Sequence, residues 1–98
     1  MAKERWSREP AASVAGLGTR FDRGVELAKA SGIEVRYEYL HGRGGGVCQV
    51  QQRAQLFVDL ALDPWEQLLA LESAVRVVLE EQWPVSGRAE LERWLARL

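Results

Sequence analysis

Between Ile33 and Tyr39 apolar and charged side chains alternate without a break, with Ile33, Val35, Tyr37 and Tyr39 set against Glu34, Arg36 and Glu38. A period of two belongs to an extended strand, so the pattern predicts one face on a core and the other in water. Upstream the period lengthens: Phe21, Val25 and Ala28 fall at i, i+4 and i+7, with Leu27 beside them. That stripe predicts a short helix from roughly 20 to 31, capped by Thr19 and closed by Gly32 in the left-handed conformation. Downstream, the glycines of His41-Gly42-Arg43-Gly44-Gly45-Gly46 interrupt both periods and mark a loop. Val47 to Gln51 and Gln55 to Leu62 then read as two strands of a hairpin joined through Gln52-Arg53-Ala54. In the second of them Leu56, Val58 and Leu60 share one face and Phe57 and Asp59 the other, a richness that predicts a central strand covered on both sides.

Asp63-Pro64-Trp65-Glu66 carries the three marks of a helix start, an Asp cap, a Pro in the first turn and a Glu three residues after the cap. Leu68, Leu71, Val75 and Val78 follow at helical spacing, which predicts the main packing helix from roughly 64 to 81. Trp83-Pro84 ends it, and Leu91, Trp94, Leu95 and Leu98 form the apolar side of a final short helix begun at Ser86 or Gly87. The expectation is an α+β fold of two layers, a small three-stranded antiparallel sheet packed by a long helix, in the order α-β-β-β-α-α. Residues 1–18 lack sustained periodicity and are expected to form a flexible N-terminal arm, leaving 19–98 as a single domain.

Composition narrows the function classes. The 98 residues suit one hydrophobic core, and 47% apolar against 28% charged residues is globular usage, so the chain is expected to fold. A net charge of −1 supplies no field to draw the chain onto nucleic acid or an anionic membrane, and neither is expected as a partner. The single cysteine, Cys48, rules out an internal disulfide. No apolar run reaches the roughly 20 residues of a membrane span and the start lacks the apolar core of a secretory signal, so a cytoplasmic location is expected.

Candidate chemistry is sparse. Consecutive backbone N–H groups at Gly44, Gly45 and Gly46 can cradle an anion, with Arg43 and His41 beside them, but neither a Walker loop nor a dinucleotide fingerprint is complete. A plain connecting loop is the competing reading. His41, Cys48, Asp59 and Glu72 lack the spacing of metal ligands, and no metal or other cofactor is expected. Cys48, His41 and Asp59 form no diagnostic nucleophilic set, and no catalytic residue is assigned. The four tryptophans are many for this length: Trp94 is expected in the core, whereas Trp6, Trp65 and Trp83 are candidates for an interface, where aromatic residues are enriched.

The segment from Ile33 to Val75 resembles the ImmA/IrrE-type zinc metallopeptidases of bacteria and phages. A strand at Ile33, a glycine loop at Gly42 to Gly46, an apolar strand at Leu56 to Leu60 and a helix opening at Pro64-Trp65-Glu66-Gln67 follow the order in which that family leads into its HExxH helix. Laid over HExxH, Leu71-Glu72-Ser73-Ala74-Val75 keeps the glutamate as Glu72 but puts Leu71 and Val75 in the places of the two histidines. The resemblance therefore implies a non-catalytic version of that fold, since neither zinc binding nor water activation survives the loss of both ligands. Three functions follow in order of expectation: a non-enzymatic interaction or accessory domain that is a homo-oligomer or engages a protein partner, a small-ligand or anion-binding module at Gly42–Gly46, and a metal-dependent hydrolase relative.

Overall fold

The computed structural model describes the backbone of residues 9–97 and the side chains of residues 16–97. Its elements run α1 (Glu9–Ala30), β1 (Glu34–Glu38), β2 (Gly46–Val50), β3 (Arg53–Asp59), α2 (Pro64–Glu80) and α3 (Arg88–Ala96). This is the expected α+β order. The sheet differs from the expectation in one respect: it is mixed rather than antiparallel, with strand order β1-β3-β2. Val35 stands opposite Leu56 in a parallel pair, and Val47 stands opposite the same Leu56 in an antiparallel one.

The reason lies in the glycine loop. Instead of folding β2 back against β1, residues 39–45 carry the chain past the end of β3's place, so that β2 forms the far edge and β3 enters between the two. Parallel neighbours need a long connection, and residues 39–52, with β2 among them, provide it. The hairpin joining β2 to β3 turns on Gln51 and Gln52, both at positive φ (53° and 67°), which is the twist a two-residue hairpin requires. The expected turn at Gln52-Arg53-Ala54 is thus displaced, because two glutamines carry no signature of that turn.

α1 begins at Glu9 rather than near 20, so Thr19 lies inside the helix, and Leu17 packs against the core. Its end is as expected. Gly32 takes φ 92°, its N–H donates to the Lys29 carbonyl, and the Ile33 N–H reaches back to the Ala28 carbonyl at 3.0 Å, which passes the chain directly from helix to β1. α2 opens as expected with reciprocal bonds, the Glu66 N–H donating to Asp63 Oδ1 at 2.8 Å and the Asp63 N–H to Glu66 Oε1 at 3.2 Å.

Ala54, Leu56 and Val58 turn to one face of the sheet, where Leu68, Leu71, Val75 and Val78 of α2, Val25 and Ala28 of α1, and Leu91 and Trp94 of α3 complete the core. Among the described residues the helices cover that face only. Phe57 on the opposite face is half-buried, so β3 is central but not covered on both sides by helices. The β1 stripe is likewise buried only at its start: Ile33 is enclosed, while Tyr37 and Tyr39 are 45% and 72% exposed, because β1 is an edge strand. Among the described residues no helix is long and apolar enough to cross a membrane.

Candidate functional site

Asp59 ends β3 on the face opposite Leu56 and Val58, and it is fully enclosed. Its Oδ1 accepts the Leu40 N–H at 3.0 Å and the Ala61 N–H at 2.9 Å, and its Oδ2 accepts the Gly44 N–H at 3.0 Å. Removal from water pushes this carboxyl up, but the N–H bonds from Gly44, Leu40, Ala61 and Gly42 outweigh that and hold it below the ordinary carboxylate range. The glycine loop is therefore an anion cradle whose anion belongs to the chain. Gly45 has no room for a side chain, because a Cβ there would run into the Phe57 carbonyl. His41 and Arg43 are exposed on the rim of this loop, while Gly44 lies half-buried against the carboxylate.

Cys48 is a free, exposed cysteine on β2, on the same side of the sheet as Phe57. Glu38, Leu40, Gly45, Gly46, Cys48 and Phe57 line a shallow depression of about 370 Å³ there. Among the described residues no three His, Cys, Asp or Glu side chains converge as a metal site would require. Leu71 and Val75 are core side chains, and Glu72 is paired.

That pairing belongs to a second constellation, which sequence reasoning did not find. Arg20 of α1 donates through Nε to Glu72 Oε2 of α2 at 3.0 Å and through Nη1 to the Trp94 carbonyl of α3 at 2.9 Å. Its guanidinium lies 4.4 Å from the centre of the Trp94 ring, and the indole N–H returns a bond to the Arg20 carbonyl at 3.0 Å. Among the described residues Arg20 Nη2, which is buried, has no hydrogen-bond partner. The sequence held one signal for this node, the glycine at Gly24 one turn after Arg20, which leaves room for the Trp94 ring on that side of α1.

Beside this node α1 and α2 diverge into a groove of about 810 Å³, lined by Leu17, Trp65, Leu68 and Leu69 with Arg20 and Glu72 at its floor. Trp65 is 53% exposed and Leu69 is exposed as well. They lie on the outer side of α2, because Leu68, Leu71 and Val75 occupy its core side. Of the other expected interface residues, Trp83 is half-buried against the core and its carbonyl accepts from Arg88 Nη2 at 3.0 Å, while Trp6 lies outside the described residues. No protein-family model matches the chain, and no curated protein and no solved structure matches it significantly.

Proposed function

We propose that this chain is a non-enzymatic interaction domain that receives an apolar stretch of a protein partner in the groove between α1 and α2. The observation that carries the reading is the pairing of exposed Trp65 and Leu69 with a concave apolar lining. Such a patch costs solubility when left open, and aromatic anchors beside a groove supply much of the affinity in protein interfaces. The Arg20–Glu72 ion pair in the lining ties α1 to α2 and so fixes the two walls of the groove. A cytoplasmic setting goes with this reading, since an exposed free thiol at Cys48 suits a reducing compartment.

The anion-binding alternative draws only on exposed His41 and Arg43, because Asp59 already takes the Gly44 N–H and places a negative charge within the loop. The hydrolase alternative and the peptidase resemblance gain no support from Glu72, whose carboxylate is committed to Arg20. Selection from a random peptide-display library tests the leading reading. Peptides with apolar anchors should be enriched on the full chain and should weaken about tenfold or more, about 1.4 kcal/mol, on a Leu69→Glu variant of equal melting temperature. Enrichment indifferent to Leu69→Glu, or no apolar enrichment at all, overturns it.

A further inference from the structure

The two edges of the sheet are unequal. β1 presents Glu34, Arg36 and Glu38, whereas β2 consists of Gly46, Val47, Cys48, Gln49 and Val50, with no charge, proline or bulge to discourage a further strand. Because Val50 and Arg53 flank a two-residue turn, they exchange both backbone bonds, and the alternation of an antiparallel ladder then directs Cys48 and Gly46 toward β3 as well. The N–H and C=O groups of Val47 and Gln49 point the other way, to the open edge.

We propose that β2 pairs antiparallel with β2 of a second copy of this chain, about a two-fold axis at Cys48, to make one continuous six-stranded sheet. In this register Val47 lies opposite Gln49 of the other copy and exchanges two bonds with it, and symmetry doubles the set. Gly46 meets Val50, small against large. Charge selects the edge, since the β2 pair brings no charges together while the same operation on β1 sets Glu34 against Glu38, and the self-matching register, Val47 opposite Gln49 and Gly46 opposite Val50, selects a second copy as the occupant. The groove beside the edge, formed by Gly44–Val47 with Ala70, Ser73 and Val77 of α2, has room for the second copy's Gln49 side chain on the core side of the sheet. Cys48 then faces its own counterpart in a non-hydrogen-bonded pair, with Cα atoms about 4.5 Å apart, inside the range a disulfide spans.

The pairing is independent of the α1–α2 groove. Sedimentation equilibrium of the reduced full chain should give a concentration-dependent mass approaching twice 11.0 kDa. Cys48→Lys, which sets two ammonium groups against each other at the axis, should leave a monomer that melts where the wild type does at concentrations low enough to dissociate it, since position 48 is exposed. Glu34→Lys on β1 should leave the dimer intact. Diamide, which takes two electrons and two protons from a pair of Cys48 thiols, should cross-link the wild type at least tenfold faster than a Cys48→Ser, Ala96→Cys variant whose thiol sits on α3. A monomer at every concentration, a dimer that survives Cys48→Lys, or equal cross-linking rates overturns the proposal. A dimer that persists while peptide enrichment is absent or indifferent to Leu69→Glu identifies failure of the groove reading alone.

Discussion

At Asp59 the conflict between burial and charge is resolved by backbone donors. A carboxylate sealed from water would take up a proton unless its oxygens were matched, and the Leu40, Gly44 and Ala61 N–H groups match them. Since the folded carboxyl is held below its ordinary range, the folded state binds fewer protons than the unfolded one in acid. The stability it contributes is complete above the unfolded value near 4 and is lost as pH falls through the folded value. Asp59→Asn replaces one acceptor oxygen by an NH2 group, which cannot accept the Gly44 N–H, and should lower the thermal midpoint near pH 7 by roughly 5 °C or more. In melting curves recorded down to about pH 2, the gap between variant and wild type should narrow, because the asparagine does not titrate. A gap independent of pH would show that the charge is irrelevant. The position of Asp59 on the far face from Leu56 was legible from the period of two. Its partners were not, since Leu40 and Gly44 lie 19 and 15 residues away and donate through backbone atoms that any sequence possesses.

Among the elements, α2 was the most legible, because Asp63, Pro64 and Glu66 act within one turn and the stripe from Leu68 to Val78 needs no distant partner to be recognised. The parallel pairing of β1 with β3 was hidden, since alternation in Ile33–Tyr39 reports a face and not a neighbour. The early part of α1 was hidden for a different reason. Gly16 and Gly18 each lower helix propensity, and the sequence does not say that Leu17 between them reaches the core. The α1 glycines also divide by context. Among the described residues a Cβ on Gly18 meets nothing within 4 Å, whereas one on Gly24 overlaps the Trp94 ring and comes within 2.9 Å of a Leu71 methyl. Gly18→Ala should therefore stabilise by about 0.5–1 kcal/mol through helix propensity alone. Gly24→Ala gains the same propensity but should be net destabilising by about 1–2 kcal/mol, because overpacking costs more. Chemical denaturation of the two variants decides this, and a stabilised Gly24→Ala would mean that Trp94 moves aside freely.

Over the whole molecule, the apolar pattern says which faces are buried but leaves open how three helices are held in one arrangement on one face of a sheet. Arg20 links all three: from α1 it bonds a carboxylate on α2 and a carbonyl on α3 at sequence separations of 52 and 74 residues. An ion pair this enclosed, with side chains 18% and 10% exposed, is favoured chiefly because breaking it is costly, since either partner alone would remain charged and poorly solvated. Glu72→Leu and Arg20→Met should each destabilise by about 3 kcal/mol. The double variant, with no charge left to solvate, should return to within about 1–2 kcal/mol of the wild type, the remainder reflecting the Trp94 carbonyl deprived of its donor. Urea denaturation of all four proteins measures the coupling, and strictly additive losses would show that Arg20 and Glu72 act separately. Where the coupling is found and the double variant keeps its stability but broadens its near-ultraviolet or amide spectrum, the pair's role is to select one helix arrangement among several of similar energy. That selection shapes the α1–α2 groove beside Trp65, so the same variant should then bind apolar peptides more weakly while remaining folded.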